Sequence, residues 1–178
     1  MKTILEARGL MKSFGAVTAA NDICASINEH SITGLIGTNG AGKTTFVNMV
    51  TGYLKPSAGS IHFAGRDITP LPPRQITRLG IARSFQIPQL YDTLTVRENL
   101  IVALGIVLRN AKQTFFSRLS AQVPGHNDSL DNVADNLMNQ FNLNDYGDRV
   151  ARVLPQGVRK QLDIAMAMAG KPQVLLLD

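Results

Sequence analysis

Residues 37–45 read Gly-Thr-Asn-Gly-Ala-Gly-Lys-Thr-Thr and match G-x-x-x-x-G-K-[ST] at every specified position. Such a loop works only between a strand that delivers it and a helix that leaves it, so it constrains the fold around it. Gly37, Gly40 and Gly42 permit backbone conformations closed to residues with a Cβ, and the N–H groups from Asn39 through Thr45, Ala41 included, then converge on one anion. The positive end of the following helix adds to the attraction. In that setting Lys43 is expected at the β- and γ-phosphates of a nucleotide. Thr44 is expected on magnesium through its hydroxyl, and Thr45 at the α-phosphate.

The surrounding pattern supplies both elements. Residues 31–36 read as a strand running straight into the loop, and from Lys43 the apolar positions Phe46, Val47, Val50 and Leu54 recur at helical spacing. Upstream, residues 4–8 and 22–27 read as strands separated by Gly15. Residues 60–64 form a further strand after the Pro56-to-Gly59 turn, Pro72-Pro73 opens a short helix through Leu79, and residues 81–85 form a strand ending at Gln86. Thr95 and Glu98 stand at capping-box positions of a helix running to about Leu108. Residues 129–141 and 156–169 are two more helices, the latter carrying Met166 and Met168 as core residues. The apolar run from Val174 to Leu177 is a buried parallel strand ending in Asp178. Between the first two of these helices, residues 109–128 are basic and polar with Phe115, Phe116 and Leu119 interspersed, a connector that waits on a partner or a solvated loop.

With 44% hydrophobic residues among 178, the chain has the material for a sizeable core in one domain, or in a domain with a subdomain. The longest apolar run, residues 100–108, falls well short of the roughly 20 residues that span a bilayer. Residues 1–8 are interrupted by Glu6 and Arg8 and offer no export signal. A formal charge of +5 is spread over scattered lysines and arginines with no basic block and no tryptophan, so no nucleic-acid partner is expected. Cys24 stands alone, which excludes an intrachain disulfide and reads as a small buried strand residue.

The order of these motifs resembles the ATP-binding subunit of ABC transporters over essentially the whole chain. The fold this implies is α/β: a P-loop nucleotide-binding core with an N-terminal antiparallel β portion over residues 1–86 and 154–178, its C-terminal part missing. A helical subdomain would occupy residues 87–153. Ser84-Phe85-Gln86 looks like the family's Q-loop, which would put Gln86 beside magnesium and the attacking water, the alternative being a surface glutamine at a strand end. Phe14 sits where the family stacks an aromatic ring on adenine, with Ala16 or Val17 lining the same pocket, the alternative being a core phenylalanine. Asp178 would hold, through water, the same magnesium ion as Thr44 and Gln86; otherwise it is a polar residue ending a buried strand. Residues 154–158, Leu-Pro-Gln-Gly-Val, occupy the place of the family's L-S-G-G-Q signature but match it only at Leu154 and Gly157. Gln161 and Met166 stand where related chains usually carry arginine.

The resemblance is strongest to importer subunits for branched-chain amino acids, with importers of urea or amides and non-transport ABC-type ATPases as the alternatives. It implies ATP and Mg2+ as cofactors and Lys43, Gln86 and Asp178 as catalytic residues. It also implies a peripheral place on the cytoplasmic face of the inner or plasma membrane. The partners would be a second ATP-binding subunit, membrane permease subunits touched through Leu90, Tyr91 and Phe115, and indirectly a substrate-binding protein. The family continues past the Asp178 position with a glutamate and a switch histidine. His30, His62 and His126 lie in other sequence contexts, and a general base supplies roughly 10²–10⁴ in rate. The chain as given is therefore expected to bind ATP and to hydrolyse little of it, with apolar surface left uncovered.

Overall fold

In the computed structural model, which describes residues 2–110 and 129–177, the chain divides into two units, Met1–Leu79 and Gly80–Asp178. The first is organised by strand β1 (Thr3–Phe14), which pairs antiparallel with β2 (Val17–Asn28) on one side and with β3 (Ala58–Phe63) on the other. Strand β4 (Arg66–Asp67) extends the sheet beyond β3, giving the order β2-β1-β3-β4. Leu5, Ala7, Leu10, Ala20, Ile61 and Phe63 are buried. Between Ala7 and Leu10 the register slips by one residue at Gly9, so Leu10 returns to the buried side despite its odd spacing from Ala7. Opposite this bulge, Gly59 sits at φ +87°, and a Cβ there would lie 2.3 Å from the Gly9 carbonyl oxygen. The two backbones meet at a distance only glycine allows.

Helix α1 (Lys43–Val50) buries Phe46, Val47, Met49 and Val50, and helix α2 (Pro73–Leu79) buries Ile76. The hairpin strands are longer than their apolar stretches suggested, because pairing with β1 carries the ladder out to the turn at Gly15. Two sequence expectations fail here. Residues 31–36 form no strand, and Ile32 and Ile36 are almost fully exposed. An apolar run becomes a strand only when a neighbour takes up its N–H and C=O groups, and among the described residues none pairs with this one. Cys24 is exposed rather than buried: it lies on the outer face of β2, where the Gly9 N–H donates to its Sγ at 3.2 Å. Leu54 falls past the end of α1 in a turn and is half-buried.

The second unit sets three helices beside a two-stranded parallel ladder. Strand β5 (Ile81–Arg83) pairs with β6 (Val174–Leu176) in register Ile81↔Val174, Ala82↔Leu175 and Arg83↔Leu176. Helices α3 (Val96–Asn110), α4 (Leu130–Gln140) and α5 (Gln156–Met168) pack around Val96, Leu100, Leu104, Val133, Leu137 and Leu162. The i, i+4 series Val96, Leu100, Leu104 and Leu108 gives α3 one continuous buried edge. Its start is fixed by a reciprocal capping box: the Glu98 N–H donates to Thr95 Oγ1 at 3.2 Å, and the Thr95 N–H donates to Glu98 Oε2 at 2.8 Å. Ser129 caps α4 by accepting from the Asn132 N–H. The methionines of α5 are only partly buried, with Met166 lying against the core. Residues 111–128, with Phe115, Phe116, Leu119 and His126, lie outside the described residues, as does Asp178.

Three polar residues are buried among the described residues of this unit: Ser84, Asn99 and Asp163. Asn99, fully buried in α3, accepts from the Tyr91 N–H and donates through Nδ2 to the carbonyls of Tyr91, Leu94 and Thr95, so it fixes the chain entering the helix. Asp163, in the middle of α5, accepts from the Phe85 N–H at 3.1 Å. Burial raises its pKa from the ordinary aspartate value, against the opposing pull of the Phe85 and Gln89 N–H groups and of Lys160.

Leu104→Ala should cost about 2–5 kcal/mol in urea unfolding, since it empties a site closed by three helices. Asp163 gives a pH signature. Its folded pKa is raised, so the stability it contributes is present below the unfolded value and is lost as pH rises through the folded one. Wild type should lose stability relative to Asp163→Asn across that window in urea titrations between about pH 4 and pH 8, and a flat difference would contradict the assignment.

Candidate functional site

The glycine loop leaves residues 31–36 and closes into α1. Its geometry is set by Gly40 and Gly42, at φ +84° and +88°. Gly42 caps α1, and a Cβ on it would lie 2.4 Å from the carbonyl oxygen of Ala19 in β2. The loop is thus seated against β2 at a point that no other residue type fits. The Ala41 N–H donates to the Thr38 carbonyl, and the Phe46 N–H to that of Gly42, which starts the helical ladder. The N–H groups of the first turn have no acceptor one turn back, and α1 carries no acidic residue there.

Lys43 folds back over its own loop. Its Nζ donates to the carbonyls of Gly37 at 2.6 Å and Thr38 at 2.7 Å. The ammonium is therefore held over the loop with one N–H left for an anion. Thr44 is exposed and Thr45 half-buried, both in the first turn of α1 with Lys43. Free donor groups, one cation and no carboxylate are a donor set for phosphate, and the residues present fit a nucleoside triphosphate. Among the described residues no cluster of His, Cys, Asp and Glu is suited to hold a metal by itself. A magnesium ion here would rest on phosphate oxygens and Thr44.

Phe14 and Val17 face each other at the tip of the β1–β2 hairpin, and both are more than half exposed. That removes the core-phenylalanine alternative. Lys12 Nζ lies 5.3 Å from the Phe14 ring centroid, so the ring is held by a cation–π contact while one face stays open. The hairpin and the loop belong to the same unit, and the Ala19 carbonyl under Gly42 is two residues from Val17.

Gln86 is exposed, three residues beyond the last ladder pair of β5. The Ser84 N–H donates to the Leu176 carbonyl, so the segment leaves the sheet at the carboxyl ends of two parallel strands, where open α/β sheets place ligands. Asp178 follows Leu177 at the end of β6, outside the described residues. In the signature region Leu154 is buried. Pro155 caps α5 without a side-chain hydrogen bond, and Gly157 is exposed with open space where a Cβ would stand. The chemistry that sequence reasoning missed lies one turn along α5. Lys160 Nζ donates to the Phe85 carbonyl at 2.7 Å and lies 3.2 Å from Ser84 Oγ, while Asp163 takes the Phe85 N–H. A lysine and an aspartate spaced i, i+3 were the available signal; on a polar helix they pass for an ordinary surface pair. Of the expected permease contacts, Tyr91 is exposed and Leu90 is partly buried against the helical core.

A family model described as "ABC transporter" matches residues 20–178. The chain is 36% identical over 175 residues to the high-affinity branched-chain amino acid transport ATP-binding protein LivG of Salmonella typhimurium, covering 98% of this chain and 68% of that one. It is 33% identical over 177 residues to the corresponding protein BraF of Pseudomonas aeruginosa, covering 99% and 69%. Among solved structures, one ATP-binding cassette of an ABC transporter superposes with a TM-score of 0.81 at 29% identity, covering 98% of this chain and 68% of that one. A nucleotide-free cassette superposes with a TM-score of 0.79 at 30% identity, covering 99% and 68%. None of the helices among the described residues is long and apolar enough to cross a membrane. By these matches, and with the loop that the first unit seats against its own sheet, the chain belongs to the ABC transporter family and has the fold of its ATP-binding domains.

Proposed function

We propose that this chain is the ATP-binding subunit of an ABC importer for branched-chain amino acids, with Mg2+–ATP held by the 37–45 loop. The observation that carries the proposal is Lys43, fixed over the loop by two backbone carbonyls beside first-turn N–H groups that lack helical acceptors. Phe14 and Val17 support the nucleotide half of the assignment, being exposed apolar neighbours in the same unit as the loop. The amino-acid class rests on likeness to LivG and BraF, which are branched-chain amino acid transport ATP-binding proteins.

In this proposal the backbone from Gly37 to Gly42, with Asn39, Gly40 and Ala41 between them, cradles the phosphates. Lys43 neutralises the developing charge, Thr45 reaches the α-phosphate, and Thr44, Gln86 and Asp178 serve magnesium. A second ATP-binding subunit would complete each site through Gly157. Among the described residues no neighbour requires glycine there, and a helix loses about 1 kcal/mol by carrying it. Closure of the pair on ATP would drive permease subunits fed by a substrate-binding protein, from the cytoplasmic face of the membrane. Residues 1–86 and 154–178 would form the nucleotide-binding core, and residues 87–153 the helical subdomain. For a polypeptide of just these 178 residues we infer binding without appreciable turnover, because the resemblance locates the activating glutamate and the switch histidine at positions outside them.

Calorimetry decides the binding claim. Lys43→Ala should weaken Mg2+–ATP binding roughly 10- to 100-fold, the equivalent of about 1.5–3 kcal/mol for charge-assisted hydrogen bonds, and an unchanged affinity would sink it. Phosphate release by the purified 178-residue polypeptide should stay at background; turnover abolished by Lys43→Ala would refute the inactivity claim.

A further inference from the structure

Helix α5 grips the backbone just before Gln86. Asp163, 6% exposed, accepts the Phe85 N–H at 3.1 Å. Lys160, one turn nearer the start of the helix, donates to the Phe85 carbonyl at 2.7 Å and lies 3.2 Å from Ser84 Oγ and 3.9 Å from Asp163 Oδ2. Both polar groups of the Phe85 backbone are therefore held by the same helix. Farther along the chain, Asn99 pins Tyr91, and Arg159 of α5 bonds Asp92 Oδ1 and the Ala151 carbonyl. From Phe85, held by α5, to Tyr91, pinned by Asn99, the chain runs as an arch that begins Gln86, Ile87 and Pro88. Gln86 and Ile87 are exposed in it, and its proline narrows the conformations it can take.

We propose that Lys160 and Asp163 are positioning residues for Gln86: they hold the backbone of the residue before it and transmit any displacement of α5, whose first turn carries Gly157, directly to that glutamine. A charged pair is suited to this task. Bonds to backbone N–H and C=O specify where the chain runs whatever side chains it carries, and bonds to ionised groups are about twice as strong as neutral ones. Burial makes the geometry all or none, since an aspartate that lets go of its N–H partner is left as an unsolvated charge. Lys160 is one turn from Gly157 and in contact with residue 85, so whatever seats against the start of α5 acts on Gln86 through a single rigid helical turn.

The inference rests on Gln86 serving magnesium, and the experiment keeps the two apart. ATP affinity is measured by calorimetry on the full chain with Mg2+ and again with EDTA, and the ratio of the two is compared across Gln86→Ala, Lys160→Met, Lys160→Arg and Asp163→Asn. Gln86→Ala and Lys160→Met should each lower the ratio roughly tenfold, as loss of an outer-shell partner does at metal sites, and the double variant should lower it no further. Lys160→Arg, which retains the donors, should restore it. Lys160 is partly solvent-facing, so its variants test the idea even where Asp163→Asn fails to fold. An unchanged ratio in Gln86→Ala overturns the magnesium role of that residue. A lowered ratio there with an unchanged one in Lys160→Met overturns the positioning role alone, as does an equal loss with Mg2+ and with EDTA.

Discussion

Backbone pairing is the constraint on which the rest of this structure depends. Strand β1 is stable as a 12-residue element because β2 and β3 take up its N–H and C=O groups on opposite edges. The long hairpin that results carries Phe14 and Val17 out to an exposed tip. Strands β5 and β6 have only three ladder pairs between them, yet those pairs aim Gln86 and the end of β6 in the same direction. The same rule explains why residues 31–36 do not form a strand. Their side chains have strand character, but a ladder needs two members. The glycine loop is accordingly anchored from its far side, by α1 and by the contact of Gly42 with Ala19, rather than by the segment that delivers it.

Much of this was legible in the sequence because the signals were local. The helix after the loop, the Thr95–Glu98 capping box and the β6 run each depend on residues within one or two turns of one another, and each stands where the pattern puts it within a few residues. The failures were non-local. Whether Cys24 is buried is decided by which face of β2 turns to the core, and the register slips along β1 move that choice from residue to residue. Whether residues 31–36 form a strand is decided by a partner. The Lys160–Asp163 grip joins positions about 75 residues apart in sequence, which no period or motif reports.

The candidate residues divide along the same line. The glycine loop is one continuous segment whose residue types are dictated by backbone geometry, so the sequence displays it whole. The surroundings of Gln86 are assembled from separate elements by hydrogen bonds to backbone atoms, and backbone atoms leave no trace in residue identity. Phe85 could be many residues without altering what Asp163 and Lys160 hold, which is why the tripeptide at residues 84–86 names Gln86 and is silent about what positions it.

Lys43 shows how the loop resolves a conflict between affinity and stability. A cation aimed at phosphate and left without partners would be mobile, and ordering it on binding would oppose the gain. Here two loop carbonyls hold the ammonium in the loop's own geometry, so its position is set before any anion arrives. These carbonyls face the lysine, and that of Thr38 also accepts from the Ala41 N–H, so the acceptors of the loop are satisfied within it. Gly37 and Thr38 thus contribute as acceptors that organise the cation, and the glycines at 40 and 42 as conformations that gather the donors; each half of the loop is needed for the other to bind.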